Sequence, residues 1–481
     1  MKTAAGMPSI VYEILVDRFK RSESDGGRGA PATWNGDAED GARWGGDLWG
    51  VVEQLDYLTG LGVDTLVLSP VWPANSPLGE GLEDFFAIDP RLGGEPAFTA
   101  LVKAAHARSL QLLLRGIFNR VGRAHPWFVE GMRQQPEDGQ IDPAMRWRSF
   151  FDFGRPPYGH AAHRGCPELP ELNLADHNLR HRLFHSDRSV VRTWLERGCR
   201  GWVVDSAEEL GYQLLHDIQR AARTVDASCS VIADSHAFSD REVRDGVVDG
   251  VVNHYLGQAL LAYAGGRIDA SELSRLLEHQ RLCYGSRGLA QCFNPLSSFN
   301  DGRALARLGG EIALTQLAVQ LQFVLPGAAT ILYGDEIGLG GALVDAGRRP
   351  MQWDPARWDG DLRNVYRRMI ELRRLYPALL TGDVAPLTPR GATDVFALAR
   401  FTRVPRETII AAFNRGHEAR RQLLFVPVEG LVNGLPLIDV ISGNRLAMRD
   451  STVEVELPAQ GAAILAPVPD AVPGYVFLKD R

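Results

Sequence analysis

The sequence predicts an α/β fold: a (β/α)8 TIM barrel with a short insertion domain and a C-terminal antiparallel β-sandwich domain. Three observations predict it. Short apolar runs alternate with amphipathic segments as far as about residue 380, the pattern of a parallel sheet with right-handed crossovers. Polar residues (Asn119, Asp205, Asp234, Asp301) stand just past apolar runs, where such barrels keep their active sites. The last hundred or so residues then change to short β-like runs between polar or glycine turns.

The elements follow in order. Residues 10–16 read as a strand, 48–61 as a helix ending near Gly60 and Gly62, and 63–68 as a buried strand before Ser69-Pro70. Residues 98–108 are helical and 110–118 strand-like. A helix at 189–197 leads to a short strand at 201–204 that closes on Asp205. Residues 231–233 end at Asp234, and 250–252 end near Asn253. The Gly/Pro-rich stretch 152–172 reads as a long barrel insertion, where substrate-facing loops are placed. The predicted boundaries are barrel 8–118, insertion 119–175, barrel 176–380 and β-domain 385–470. Within the β-domain, strands are expected at 395–401, 408–414, 421–426, 437–440, 453–457 and 462–465. An open doubly wound sheet is the competing architecture. No phosphate loop or dinucleotide fingerprint opens an early helix, which weakens it.

Composition excludes several function classes. The chain has 481 residues, 45% hydrophobic and 23% charged, with a net charge of −7. These are ordinary values for a globular protein and leave no broad basic surface for nucleic acid. Only Lys2, Lys20, Lys103 and Lys479 are lysines, so arginine supplies nearly all the positive charge. The five cysteines (Cys166, Cys199, Cys229, Cys283, Cys292) are odd in number and form no CxxC pair, which fits reduced core thiols better than a disulfide framework or zinc site. No secretory h-region and no 18-residue apolar stretch is present, so a cytoplasmic protein without a membrane span is expected.

Several ordered segments carry a family resemblance. They begin with Tyr12-Glu13-Ile14-Leu15-Val16-Asp17-Arg18-Phe19 and Gly46-Asp47-Leu48-Trp49-Gly50, followed by Ile88-Asp89-Pro90-Arg91-Leu92-Gly93. Leu325-Pro326-Gly327 with Tyr333-Gly334-Asp335-Glu336-Ile337-Gly338, and Arg348-Arg349-Pro350-Met351-Gln352-Trp353-Asp354, are the most specific. Across residues 8–470 the chain resembles the α-amylase superfamily, glycoside hydrolase family 13, in its neopullulanase and maltogenic-amylase-like branch. The resemblance implies retaining chemistry on α-glucosidic bonds. An Asp attacks the anomeric carbon, and a Glu protonates the leaving oxygen and later activates water, the two carboxyls standing about 5–5.5 Å apart. A second Asp, two His, an Arg and a Tyr complete the family's pocket.

Departures from the pattern cluster in that pocket. Asp205 matches the nucleophile, but Val203 stands where the family has an Arg. Asp234 occupies the acid/base Glu position with one methylene less of reach. Asp301 matches the third carboxylate, and its neighbour Asn300 replaces a His. The segment from Leu114 to Arg120 should begin with Asp and end with His, and instead carries Arg115 and Arg120. The position of the stacking Tyr aligns with Glu80. The catalytic set implied is Asp205, Asp234 and Asp301. Arg120, Asn300 and Glu80 are candidate substrate contacts, joined by Trp72 at a strand end and His236 beside Asp234.

Arg120 is expected to pair with Asp205 or Asp301, or else to bind an anionic group on a modified sugar. Arg115, within a strand, reads as structural, paired with a nearby carboxylate. No cofactor is expected. Calcium at the acidic stretch 35–40 (Asn35, Asp37, Glu39, Asp40) or at Asn119 is weighed against a simple surface turn. His177, His181 and His185, spaced i, i+4, i+8, read as a solvated helix face rather than metal ligands. The expected partner is an α-glucan or small α-glucoside, with neither nucleic acid nor membrane. Three roles stay open: a divergent member with weak or lost hydrolysis that binds or modifies carbohydrate; an active retaining α-glucosidase or glucanotransferase using Asp205, Asp234 and Asp301; and a non-catalytic scaffold.

Overall fold

In a computed structural model, residues 8–23, 34, 43–134, 146–340 and 347–468 are described. The chain divides into two compact units, residues 1–252 with 350–352, and residues 253–349 with 353–481.

The first unit is built on six parallel strands: β1 (Ile10–Ile14), β2 (Thr65–Leu68), β3 (Gln111–Gly116), β4 (Gly201–Val204), β5 (Ser230–Ala233) and β6 (Gly250–Val251). They lie in the order β6-β5-β4-β3-β2-β1. Nearly every residue in them is buried, as expected of parallel strands covered on both faces. The predicted strand 10–16 stops at Ile14, and Val16–Phe19 forms a helical turn. The predicted helix 48–61 is two helices, Leu48–Glu53 and Leu55–Leu61, broken at Gln54. The first starts on Asp47, which accepts from the Gly50 N–H, and the second stops on left-handed Gly62. Helices Gly94–Ala107 and Val190–Glu196 match their predictions within a turn.

The insertion is tied to the end of β3 by backbone pairing. Arg120 bridges to Glu171, and the Leu172 N–H donates to the Asn119 carbonyl. An aromatic cluster (Trp127, Phe128, Trp147, Phe150, Phe151, Phe153) gives this segment a core of its own.

The second unit contributes the parallel pair β7 (Phe293–Pro295) and β8 (Ala328–Leu332). Neither strand stands out by periodicity, since β7 has three residues and β8 is uniformly apolar. With β1–β6 they make eight parallel strands, and the fold is the (β/α)8 barrel that the sequence predicts. Eight antiparallel strands follow: β9 (Asp383–Pro386), β10 (Val395–Phe401), β11 (Ile409–Asn414), β12 (Arg420–Phe425), β13 (Pro436–Asp439), β14 (Arg445–Ala447), β15 (Thr452–Leu457) and β16 (Gly461–Pro467). One sheet runs β14-β13-β16-β11-β10-β9, and β12 pairs with β15. Both surround a shared apolar core that includes Leu424, Leu437, Met448, Val455 and Ile410. Six of these strands were expected. The other two, β9 and β14, are short and largely exposed, so no alternation marks them.

Candidate active site

The barrel ladder sets the candidate carboxylates. The Asp205 N–H donates to the Gly116 carbonyl (2.9 Å), fixing Asp205 one residue past β4. The Asp234 N–H donates to the Val204 carbonyl (2.8 Å), fixing Asp234 one residue past β5. Gly116 is needed at the end of β3: a Cβ there would lie 2.6 Å from the Phe118 ring and 2.8 Å from that of Trp202. Ser206, directly after Asp205, holds a left-handed backbone (φ 50°, ψ 45°). For a serine this costs on the order of 1 kcal/mol. The turn brings its hydroxyl to donate to Asp205 Oδ2 at 3.1 Å.

Two arginines close on these carboxylates. Arg120 Nη2 donates to Asp205 Oδ2 at 2.8 Å, and its Nη1 donates to Asn119 Oδ1 at 2.9 Å. The pairing expected for Arg120 is therefore with Asp205, and Glu80 Oε1 lies 3.9 Å from the same guanidinium. Arg115 is the larger surprise. Its Nη1 donates to Asp234 Oδ2 and stands 3.5 Å from Asp205 Oδ1, while its Nη2 donates to Glu13. One guanidinium thus bridges both candidate reacting carboxylates. Burial works against the Arg115 charge, but Glu13, Asp234 and Asp205 outweigh it and hold its pKa well above the usual arginine value.

The register of the sheet explains this placement. Arg115 on β3 and Val203 on β4 are directly paired across the two strands. A cation thus approaches Asp205 from β3, the strand beside the one on which the resemblance expects it. The sequence places Arg115 as a structural residue paired with a nearby carboxylate; the pairing is found, but with Asp234 and with Glu13, the latter missed by the sequence reading. A signal was present, because Arg115 and Glu13 are each a lone charge inside an apolar strand, and opposite charges buried in strands of one barrel need each other.

A second layer extends from Asn119. Its Nδ2 donates to Glu209 Oε2 (2.5 Å), and His163 Nδ1 lies 3.2 Å from the same oxygen. Burial and the nearby Arg120 charge lower the His163 pKa, against Glu209. Neither residue was singled out by sequence.

The remaining candidates are dispersed. Trp72 is 2% exposed, stacked on Trp202 and edge-on to Trp194. Its ring faces are covered by protein, so the expected sugar contact gives way to a core role. His236 is exposed. Asp301 and Asn300 lie in the second unit, in an exposed turn closed by Ser298 and Gly302. There Ser298 Oγ donates to Asp301 Oδ2 (3.0 Å), and Arg348 Nη2 donates to Asn300 Oδ1 (3.1 Å).

Among the described residues, no group of three or more His, Cys, Asp or Glu is arranged to hold a metal ion. The acidic stretch 35–40 lies outside them. The Asn119 amide is engaged by Glu209 and Arg120. Of the three spaced histidines, His177 and His181 stack, and His185 reaches Asp217 at 3.0 Å. Among the described residues, no helix is long and apolar enough to cross a membrane.

Residues 13–245 match the family model described as alpha amylase, catalytic domain. The chain carries an alpha-amylase catalytic domain. Cyclomaltodextrinase of Geobacillus thermopakistaniensis is 28% identical over 95% of this chain and 76% of its own length. Neopullulanase 2 of Thermoactinomyces vulgaris is 28% identical over 94% and 77%. A crystal structure of a protein from Thermus thermophilus superposes with a TM-score of 0.85 at 28% identity, covering 96% of this chain and 99% of that one. The barrel of this chain carries arginines, Arg115 and Arg120, at two pocket positions where the resemblance expects Asp and His.

Proposed function

We propose that the protein is a divergent α-amylase-family member of α-glucoside metabolism, acting in the cytoplasm, in which hydrolysis is weak or lost and carbohydrate binding or modification remains. The α-glucoside class is carried over from relatives named cyclomaltodextrinase and neopullulanase. One observation carries the loss of hydrolysis: Asp234, in the acid/base position, is ion-paired to Arg115. A general acid must hold a proton that it can deliver, and enzymes arrange this by burial away from cations. A guanidinium against the carboxylate favours the charged form instead. The shorter Asp side chain adds to the deficit, since misplacement by about 1 Å can cost on the order of 10²-fold.

The test is prolonged incubation of concentrated protein with maltose, maltotriose, isomaltose and glycogen, with Asp205→Asn in parallel and products read by chromatography. Calorimetric titration with maltotriose accompanies it. Saturable binding with little or no turnover is the expected result. Vigorous turnover abolished by Asp205→Asn would sink this reading in favour of an active retaining enzyme. Neither binding nor turnover would move the search to protein partners.

A further inference from the structure

The two-stranded sheet of the β-domain ends in an open edge. β12 pairs with β15 on one side, and among the described residues no strand pairs with it on the other. The ladder decides which groups meet that edge. One step beyond the strand, the Val426 N–H donates to the Ser451 carbonyl at 2.8 Å, so even-numbered residues turn their backbone groups to β15. Arg421, Leu423 and Phe425 therefore turn theirs outward, because bonded and non-bonded pairs alternate along an antiparallel ladder. One of these groups is met from within the strand: Gln422 Nε2 donates to the Leu423 carbonyl at 3.0 Å. A side-chain amide stands there where a neighbouring strand would donate.

The same three residues carry exposed side chains. Leu423 is 44% and Phe425 69% exposed, and Arg421 is exposed beside Glu456. Edge strands are ordinarily blunted by lysine, proline, a bulge or a cover. β12 has neither lysine nor proline, and its register with β15 is unbroken. Its charge sits at one end, Arg420 and Arg421, and its other end is apolar.

We propose that β12 is a dimerisation edge, and that its occupant is β12 of a second copy of this chain, antiparallel about a two-fold axis through Leu423. The pattern is self-complementary. The outward backbone groups meet only where odd-numbered residues face odd-numbered residues. Of those registers, the one centred on Leu423 uses all three positions. It sets Leu423 against the partner subunit's Leu423, and Arg421 against the partner subunit's Phe425 on either side of the axis. Each pairing exchanges two N–H···O bonds. The phenylalanine ring gains a guanidinium to lie against, and Arg421 keeps Glu456. A register slipped toward the arginines leaves Phe425 in water or sets arginine against arginine, and one slipped the other way drops Arg421. The contact uses the same patch on both copies, so it closes on itself and continues the sheet from one β15 to the other.

The experiment is sedimentation velocity on the full chain from about 1 to about 200 μM, with amide hydrogen exchange read at both ends of that range. The mass should rise from one chain to two, and the Leu423 and Phe425 amides should exchange at least about tenfold more slowly in the concentrated sample. Leu423→Lys sets two ammonium groups against each other at the axis and should weaken association at least about tenfold. Position 425 carries the signature of the register. Phe425→Arg places like charges opposite and should weaken association in the same way, whereas Phe425→Glu gives the partner subunit's Arg421 a counter-charge and should not weaken it. These side chains point to water, so the far-ultraviolet circular dichroism of each variant should be that of the parent chain.

A mass of one chain throughout overturns the proposal. So does a dimer that survives Leu423→Lys, or one whose edge amides stay fast, since either puts the contact elsewhere. Equal loss of affinity in Phe425→Arg and Phe425→Glu would mean apolar adhesion without the register, and overturns it too.

Discussion

Two pairs of buried arginines, one pair in each unit, meet different partners. In the first, Arg115 and Arg120 face side-chain carboxylates. In the second, Arg373 and Arg400 face backbone carbonyls around the end of the helix Ile312–Val324. Arg373 donates to Phe323 (2.6 Å), Leu325 (3.2 Å) and Gly327; Arg400 donates to Val324 (2.7 Å) and Gly382 (2.8 Å). Burial disfavours the charge in both places. Against three carboxylates the Arg115 pKa still rises; against carbonyls, burial and then repulsion from Arg373 bring that of Arg400 down. The partner decides the sign. Carbonyl dipoles make an arginine a helix cap. Carboxylates make it a counter-charge whose loss strands anions.

That difference predicts unequal losses on deletion. Arg115→Met should cost about 3–5 kcal/mol at neutral pH, the usual penalty for breaking a buried ion pair. The penalty should shrink in acid. Protonation relieves anions stranded without their counter-charge, so the destabilisation is fullest at neutral pH and fades in acid. Denaturant unfolding at pH 7 and pH 4.5 checks both statements. An equal penalty at the two values would break the comparison.

His125 supplies the case of burial with no counter-charge. Its Nδ1 accepts the Trp127 N–H as a helix cap, and burial alone lowers its pKa to about 3. A folded pKa below the unfolded value of about 6.5 means stability that is full above 6.5 and is lost as pH falls toward 3. At pH 4.5 the unaltered chain should have lost on the order of 2–3 kcal/mol that His125→Asn retains. Asparagine keeps the cap without the titration. Parallel slopes for the two proteins between pH 7 and 4.5 would remove burial as the cause. Smaller again is Arg373→Met, which leaves carbonyl dipoles rather than charges unmet. About 1–3 kcal/mol is expected, with no change between pH 7 and 4.5.

Sequence legibility followed the same divide. Long periodic or strongly bounded elements could be read directly, from β3 to the helix Gly94–Ala107 and the strands β10 and β11. The three-residue strand β7 carries too little pattern to register, and β8 is uniformly apolar with no alternation to mark it. In the site, Asp205 and Arg120 were visible as residues, and their pairing was among the expectations weighed. The role of Arg115 was not, because it depends on which residue of β4 stands across from it. Register is a property of two strands together, and neither strand states it alone. Trp72 failed for a related reason: its place at a strand end was read correctly, but the rings of Trp194 and Trp202 that cover it come from distant positions in the chain.

Register also supplies the finest test. Val203→Arg alone places a second guanidinium directly across from Arg115, and like charges so placed destabilise a strand pair by up to about 1 kcal/mol. Arg115→Val alone strands the carboxylates. If the two positions serve the same carboxylates, the double exchange should be more stable than the sum of its parts by about 1 kcal/mol or more, within the range of coupled neighbours. Unfolding free energies of the four proteins close the cycle. A coupling near zero would mean that a cation from β4 does not reach the anions that Arg115 reaches from β3. Position 203 would then be one from which no cation can replace Arg115, and Asp205 would keep Arg120 and Ser206 as its hydrogen-bond partners in every variant.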